Sequence, residues 1–472
     1  MDGVEKSKVF LFFSTFACFT VWLAFPPNFC YLLGQGNSHM QTRAQAENHA
    51  AKMEWFRRAK YGMFIHWGLY TLPGGEWKGR EAPFSADRYR SLAEWIMRNM
   101  RIPLAEYRTL AASFNPADFD ARRWVQTAKE CGMKYLVFTA KHHDGFSMFD
   151  TKHSDYNIVK ATPFGRDAVC ELADACKEAG LVFCVYYSQY QDWEDPNAFG
   201  NTWDFPDEEK KDFAAYLENK VKPQLTELLS NYGKIGFVWF DTPYEMPKKY
   251  CEELVRLVRG LQPECLVNSR VGYGLGDFRE MGDNGIPLVR YNGDFQTPMT
   301  LNDSWGWSVR DDNWKSAATV QNMLMAICQK GGNFLLNVGP DGAGNIPRPS
   351  LDILRTVGAW LKTHGESIYE TTAAPDFPYQ LFWGGFTRKE KTLYLHVTKW
   401  PSFPHEIYVV GLETRVVKAY FLADGKDVEF VQIYESGRDE HRLRVQLPKE
   451  PRDPLSTVVV LELADDPVVQ TL

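Results

Sequence analysis

Residues 235–241 read IGFVWFD, an apolar run that ends abruptly in a carboxylate. A strand buried on both faces of a parallel sheet has this form, with nothing polar until its C-terminal end. In an eight-stranded α/β barrel that end is where catalytic groups collect. An ionised acid beside Trp239 and Phe240 is costly to bury without partners. Asp241 is therefore either a cap of the following segment or a working group, and its company along the chain decides which.

Working outward, the same unit recurs on both sides. Upstream, Tyr61 to Trp67 forms a strand ending in His66 and Trp67, and a helix over 87–100 carries Glu94 and Trp95. A helix over 120–132 leads to MKYLVFTA, which ends in Lys141, His142, His143 and Asp144. The helix at 168–180 leads to LVFCVYYS with Tyr186 and Tyr187, and a long amphipathic helix at 207–232 feeds IGFVWFD itself. Downstream, helix 247–262 leads to CLVNSR, ending at Arg270, and helix 315–330 leads to NFLLNVGPDGAG. A helix over 349–365 closes the series. Buried strands alternating with helices of 12 or more residues are the pattern of a parallel sheet. Polar residues return at every strand's C-terminal end, which favours a closed (β/α)8-like barrel over 48–370. No GxGxxG follows the first strand, so a dinucleotide fold lacks its fingerprint. From 374 to 472 short alternating runs (TLYLHVT, EIYVVGL, VVKAYFL, LRVQLP, TVVVLEL) predict a C-terminal β-sandwich.

Composition narrows the partners. The 472 residues carry a net charge of −7 with acids and bases interspersed, so no basic stripe is present to neutralise nucleic-acid phosphates. Lys6 and Lys8 precede the apolar run 9–25 and Pro26, which reads as a secretory signal or a retained anchor within residues 1–36 and places the remainder outside the cytoplasm. No CxxC occurs, and His142 and His143 lack a third ligand at metal spacing, so neither a metal nor a cofactor is expected. Two or three histidines, an arginine, several tryptophans and a carboxylate at strand ends describe a pocket for a neutral, hydroxyl-rich ligand.

The stretches YGMFIHWGLYT, EWIM, KHHDGF, VYYSQYQDW, VWFD, LVNSR, NDSWGW and NFLLNVGPDGAGNIP resemble α-L-fucosidases of glycoside hydrolase family 29, in order and over about residues 54–365. The resemblance implies a barrel followed by a β-sandwich, exo-cleavage of terminal α-L-fucose from a fucosylated glycan or fucose-containing polysaccharide, retention of configuration, and no metal or cofactor. Carried over by motif, His66, Glu94, Trp95, His142, His143, Tyr186 and Arg270 would line the fucose pocket. Asp241 would be the nucleophile.

Retention needs a second carboxyl group as acid/base. In related sequences the block before NDSWGW holds a glutamate, whereas here it reads DFQTPMTLND, with Gln296 at that place. A glutamine has no proton to titrate. Glu280 is the leading substitute, with Asp283 and Asp294 as further candidates. Failing those, the enzyme would act only on good leaving groups or with an external nucleophile. The alternative is a fucose-binding protein with weak or lost hydrolase activity.

Overall fold

Eight parallel strands frame the computed structural model, which describes residues 35–81 and 92–471, with side chains from residue 47 onward. In chain order they are β1 (Tyr61–Ile65), β2 (Tyr135–Lys141), β3 (Val182–Tyr187), β4 (Phe237–Phe240), β5 (Leu266–Val267), β6 (Arg279–Glu280), β7 (Phe295–Thr300) and β8 (Asn333–Val338). Their spatial order is β5-β4-β3-β2-β1-β8-β7-β6. The two outer strands meet through a parallel bridge between Asn268 and Phe278, so the sheet curls into a barrel. The expected (β/α) barrel followed by antiparallel sheets is thus the architecture found.

The chain divides into Met1–Ala51 and Lys52–Leu472. Helix α1 (Gln35–Ala59) begins in the first unit, and the apolar run 9–25 lies outside the described residues. Among the described residues no helix is long and apolar enough to cross a membrane.

Alternation along the strands sorts the barrel's apolar residues into two layers. Phe64, Val137, Tyr186, Trp239 and Leu335 fill the interior, while Met63, Leu136, Val185, Val238 and Leu336 face the surrounding helices. Those helices start where their sequences supply caps. In α2 (Ala121–Glu130), Asp120 accepts the Arg123 N–H, and in α3 (Ala168–Ala179), Asp167 accepts that of Cys170. Helix α3 ends at Gly180 in the left-handed region, φ 74°, where a glycine carries no Cβ penalty.

Three expectations need correction. Strands β6 and β7 are absent from the sequence reading, because β6 has only two residues and Pro298 inside β7 argues against a strand. The helix over 207–232 is broken into short turns, a π-helical turn at Leu217–Val221, and α4 (Lys222–Asn231), whose Pro223 has no N–H to extend the ladder backwards. In place of one helix over 87–100 there are two short turns, Ala93–Trp95 and Ile96–Asn99; residues 87–91 lie outside the described residues.

The C-terminal region pairs β9 (Gly384–Lys389), β10 (Thr392–Val397), β11 (Glu406–Val410), β12 (Val416–Phe421), β13 (Phe430–Glu435), β14 (Glu440–Gln446) and β15 (Thr457–Leu463). They form a four-stranded sheet, β9-β10-β15-β12, and a three-stranded sheet, β11-β14-β13, both antiparallel. Phe386, Leu395, Val409, Leu443 and Leu461 share one core. The barrel docks on this region through α5 (Arg348–His364), where the Trp360 indole N–H donates to the Ser456 carbonyl at 2.9 Å.

The lower end of the barrel, where the strands begin, is closed by aromatics. Trp55, Phe56, Tyr135, Phe237 and Phe278 pack together, and Tyr135 takes a hydrogen bond from the Gln296 amide at 2.6 Å. The floor depends on Gly62, since a methyl group there would stand 2.3 Å from the Tyr135 ring. Gly62→Ala is expected to cost about 1–3 kcal/mol through overpacking. A urea midpoint equal to that of the parent protein would refute this account of the floor.

Candidate active site

The opposite end of the barrel carries a pocket of about 610 Å³, and Asp241 stands in its wall one residue beyond β4. Its carboxylate is almost fully enclosed by donors. Oδ1 accepts from Arg270 Nη1 at 2.8 Å, and Oδ2 accepts from the Tyr186 hydroxyl at 2.8 Å and lies 3.3 Å from His143 Nε2. The Asp241 backbone N–H donates to Gln189 Oε1 at 2.9 Å, which fixes the strand end. Burial alone would push this carboxyl up. The His143 hydrogen bond and the Arg270 charge outweigh burial and hold it well below the usual carboxylate range.

Each donor arrives from a different strand end. Tyr186 points inward from β3, whereas its neighbour Tyr187 points outward to Gln224 at 2.7 Å, as strand alternation requires. Arg270 follows β5. Its guanidinium lies 4.7 Å over the Trp239 ring and uses Nη2 on Asp283 while Nη1 holds Asp241. Two carboxylates lining one pocket are therefore bridged by one cation.

The histidines come from β1 and β2. His66 Nδ1 lies 2.7 Å from Asn337 Oδ1, and the Asn337 amide donates to the Trp305 carbonyl at 2.7 Å. That arrangement leaves Asn337 Oδ1 as the acceptor, so Nδ1 carries the proton and Nε2 is free to accept from a ligand. Burial pushes His66 down to about 3, and it also lowers His142 and His143, so all three are neutral at pH 7. His142 stacks on Tyr186, 5.3 Å between ring centroids at 12°, and Tyr186 on Trp239 at 5.4 Å. His142 Nδ1 and Glu94 Oε1 are buried without a hydrogen-bond partner. Such groups are expensive to leave unpaired, and a polyhydroxylated ligand would satisfy them.

The KHHDGF motif is held from below. A register shift between Thr139 and Lys141 bends the end of β2 and re-aims the histidines. Lys141 then pairs with buried Asp192 at 2.7 Å, Lys220 joins Asp192 at 2.8 Å, and Asp144 accepts from Tyr107 at 3.0 Å. Gly145 sits at φ 77°, and a Cβ there would meet Asp192 Oδ1 at 2.3 Å, so the motif's glycine is sterically required. The Trp193 N–H donates to the His143 carbonyl at 2.7 Å and ties the network to the site.

Of the residues singled out from sequence, His66, Glu94, Trp95, His142, Tyr186, Asp241 and Arg270 line this pocket. His143 does not; it stands behind Asp241 with its Nδ1 2.7 Å from Ser188 Oγ. Glu280 also fails to reach the lining. It is buried near Trp239, Asn268 and Arg270, and burial raises its pKa well above the ordinary range. Asp294 lies at the wrong end of the barrel, just before β7, where it accepts from Arg57 Nε and Nη2, each at 2.8 Å. Gln296, opposite Glu280 and Asn333 in the sheet, belongs to the floor. Asp283 alone among the candidate acids joins Asp241 in the pocket. Asn337 went unread as a site residue, though a polar side chain in the apolar strand NFLLNV was a usable signal.

The chain matches the family model described as alpha-L-fucosidase over residues 33–366. It is 28% identical over 430 residues to the human plasma alpha-L-fucosidase, covering 84% of this chain and 85% of that protein. Among solved structures it resembles alpha-L-fucosidase isoenzyme 1 from Paenibacillus thiaminolyticus, at 35% identity and a TM-score of 0.79, covering 89% of this chain and 100% of the other. It also resembles alpha-L-fucosidase AlfC from Lactobacillus casei, solved with α-L-fucose product, at 45% identity and a TM-score of 0.61, covering 66% and 99%.

Glu94 supplies a test of the site's electrostatics. Its Oε2 accepts the Gly306 N–H at 2.9 Å, yet burial lifts its carboxyl to about 7. Between its ordinary value of 4.5 and about 7 the folded state holds more protons than the unfolded one, so stability falls as pH rises through that window. Glu94→Gln removes this slope, while Asp144, lifted to about 7 by burial, keeps its own. The variant's stability relative to the parent is expected to rise from pH 5 to pH 8 by on the order of 3 kcal/mol. Urea unfolding at both pH values measures it, and an identical difference at each would count against a buried, neutral Glu94.

Proposed function

The chain belongs to the alpha-L-fucosidase family of glycoside hydrolases, and we propose that it releases terminal α-L-fucose from fucosylated glycans or polysaccharides with retention of configuration. The observation that carries this reading is the Arg270 guanidinium bridging Asp241 and Asp283 in one pocket. Carboxylates held by one guanidinium form a close pair. Retaining glycosidases use a pair of neighbouring carboxyl groups, one as nucleophile and one as acid/base.

In the first displacement an Asp241 oxygen attacks the anomeric carbon, the bond to the leaving oxygen breaks, and Asp283 gives that oxygen its proton. In the second, Asp283 takes a proton from water, whose oxygen attacks the same carbon and frees Asp241. Asp241 suits the nucleophile because its partners keep it ionised. Asp283, with side-chain exposure of 39%, can exchange protons with solvent. His66 Nε2, His142 and Glu94 Oε1 accept or donate to the sugar hydroxyls, and Trp239 supplies an apolar face. Lys6, Lys8 and the apolar run that follows support export of the protein.

The alternative, a fucose-binding protein with weak or lost hydrolase activity, rests on Gln296; the place of Gln296 in the barrel floor, bonded to Tyr135, supports the hydrolase reading. Burial lifts the Glu94 carboxyl to about 7, and its tie to Gly306 favours a binding role.

Hydrolysis of 4-nitrophenyl α-L-fucoside tests these assignments. Asp241→Ala is expected to lose about 10⁴–10⁶-fold in kcat, the range for removing one member of a covalent catalytic set. Asp283→Ala should lose roughly 10²–10⁴-fold on a natural linkage and regain rate with azide. Azide rescue of Glu94→Ala instead would move the acid/base role to Glu94, and inverted product stereochemistry by NMR would refute the double displacement.

A further inference from the structure

One cation in the pocket wall has no charge to answer. Arg98, in the turn Ile96–Asn99, lines the pocket beside Asn99 and stands half-buried. Its guanidinium lies 5.0 Å over the Trp95 ring, and that ring meets His143 edge-on at 5.0 Å. Among the described residues no carboxylate pairs with it and no acceptor takes its N–H groups, unlike its neighbours. Arg108 pairs with Glu194 at 2.8 Å, and Arg270 is occupied by Asp241 and Asp283.

A guanidinium stacked on an indole is pre-oriented by its face, and its N–H edge remains available. Its planar fork matches the paired oxygens of a carboxylate or sulfate ester. A neutral 6-deoxy sugar offers nothing of that charge. We infer that Arg98, with Asn99 beside it, is a specificity-determining site for an anionic substituent, a sulfate ester or a carboxylate, carried by the fucosylated substrate next to the scissile linkage. This rests on the hydrolase reading above and adds to it the class of substrate. Arg98 meets an oxyanion in a pocket where the Asp241 and Asp283 carboxylates share a single countercharge, the Arg270 guanidinium.

The test compares three fucosyl disaccharides: neutral, sulfated beside the linkage, and with a uronate as the adjoining sugar. The parent enzyme should show a higher kcat/KM on at least one charged substrate than on the neutral one, by a factor that shrinks with added salt. Arg98→Gln should lower the charged-to-neutral ratio by roughly 10- to 100-fold, the strength of hydrogen bonds to charged groups, and Arg98→Lys should lower it less. A gain on the sulfated or the uronate arm alone identifies the oxyanion. Preference of the parent for the neutral substrate, or a ratio unmoved in Arg98→Gln, overturns the inference. Absence of hydrolysis on all three would instead sink the hydrolase reading. Calorimetric affinities of parent and Arg98→Gln for the same three ligands would then decide the role of Arg98.

Discussion

The site depends on keeping Asp241 ionised while burying it. A carboxylate taken out of water without partners would neutralise instead, so its charge has to be met by donors already in place. Arg270 from beyond β5, Tyr186 from β3 and His143 from beyond β2 provide them. No single segment could do so, because these residues converge only when the strands curl and present their C-terminal ends to one point. Curvature of the sheet is thus a condition for the charge, and the short bridge between Asn268 and Phe278 that brings its edges together belongs to the electrostatics as much as to the fold.

The same logic runs one layer deeper. Lys141, Asp192 and Lys220 are three buried charges beneath the KHHDGF segment, and removing one member of such a set strands the others. Their value lies in position. The network holds a bent strand end that alternation alone would leave straight, and through the Trp193 N–H it sets the height of His143. Burial keeps His143 neutral, so its hydrogen bond to Asp241 orients the carboxylate without contributing a full second positive charge to compete with Arg270.

These roles explain what was legible in the sequence. IGFVWFD, LVFCVYYS and MKYLVFTA announce themselves because a strand buried on both faces excludes polar residues until its end. The residues at those ends, Asp241, Tyr186, His142 and Arg270, were readable for the same reason. Strand β7 was not, since FQTPMT carries a proline and a buried glutamine, and two-residue β6 has no period to detect. With both strands unread their register was unknown, and Gln296 looked like a vacant catalytic place. In the sheet it lies opposite Asn333 and bonds Tyr135, at the end of the barrel away from Asp241. Asp283 drew less weight than Glu280 because nothing in GDFREMGDNG says where a strand stops. The structure stops it at Glu280, which leaves Glu280 inside the wall and Asp283 in the loop facing the pocket.

That difference of three residues also separates the chemistry of the two acids. Glu280, enclosed beside Trp239 and Asn268, has its carboxyl pushed well above the ordinary range by burial and does not line the pocket. Asp283 touches both solvent and Arg270, and so shares one guanidinium with Asp241. In the double displacement proposed above, esterification of Asp241 would remove its negative charge and leave Arg270 to Asp283 alone. One arginine placed between two acids thus ties the position of Asp283 to that of Asp241, which a pair of independently buried carboxylates would not do.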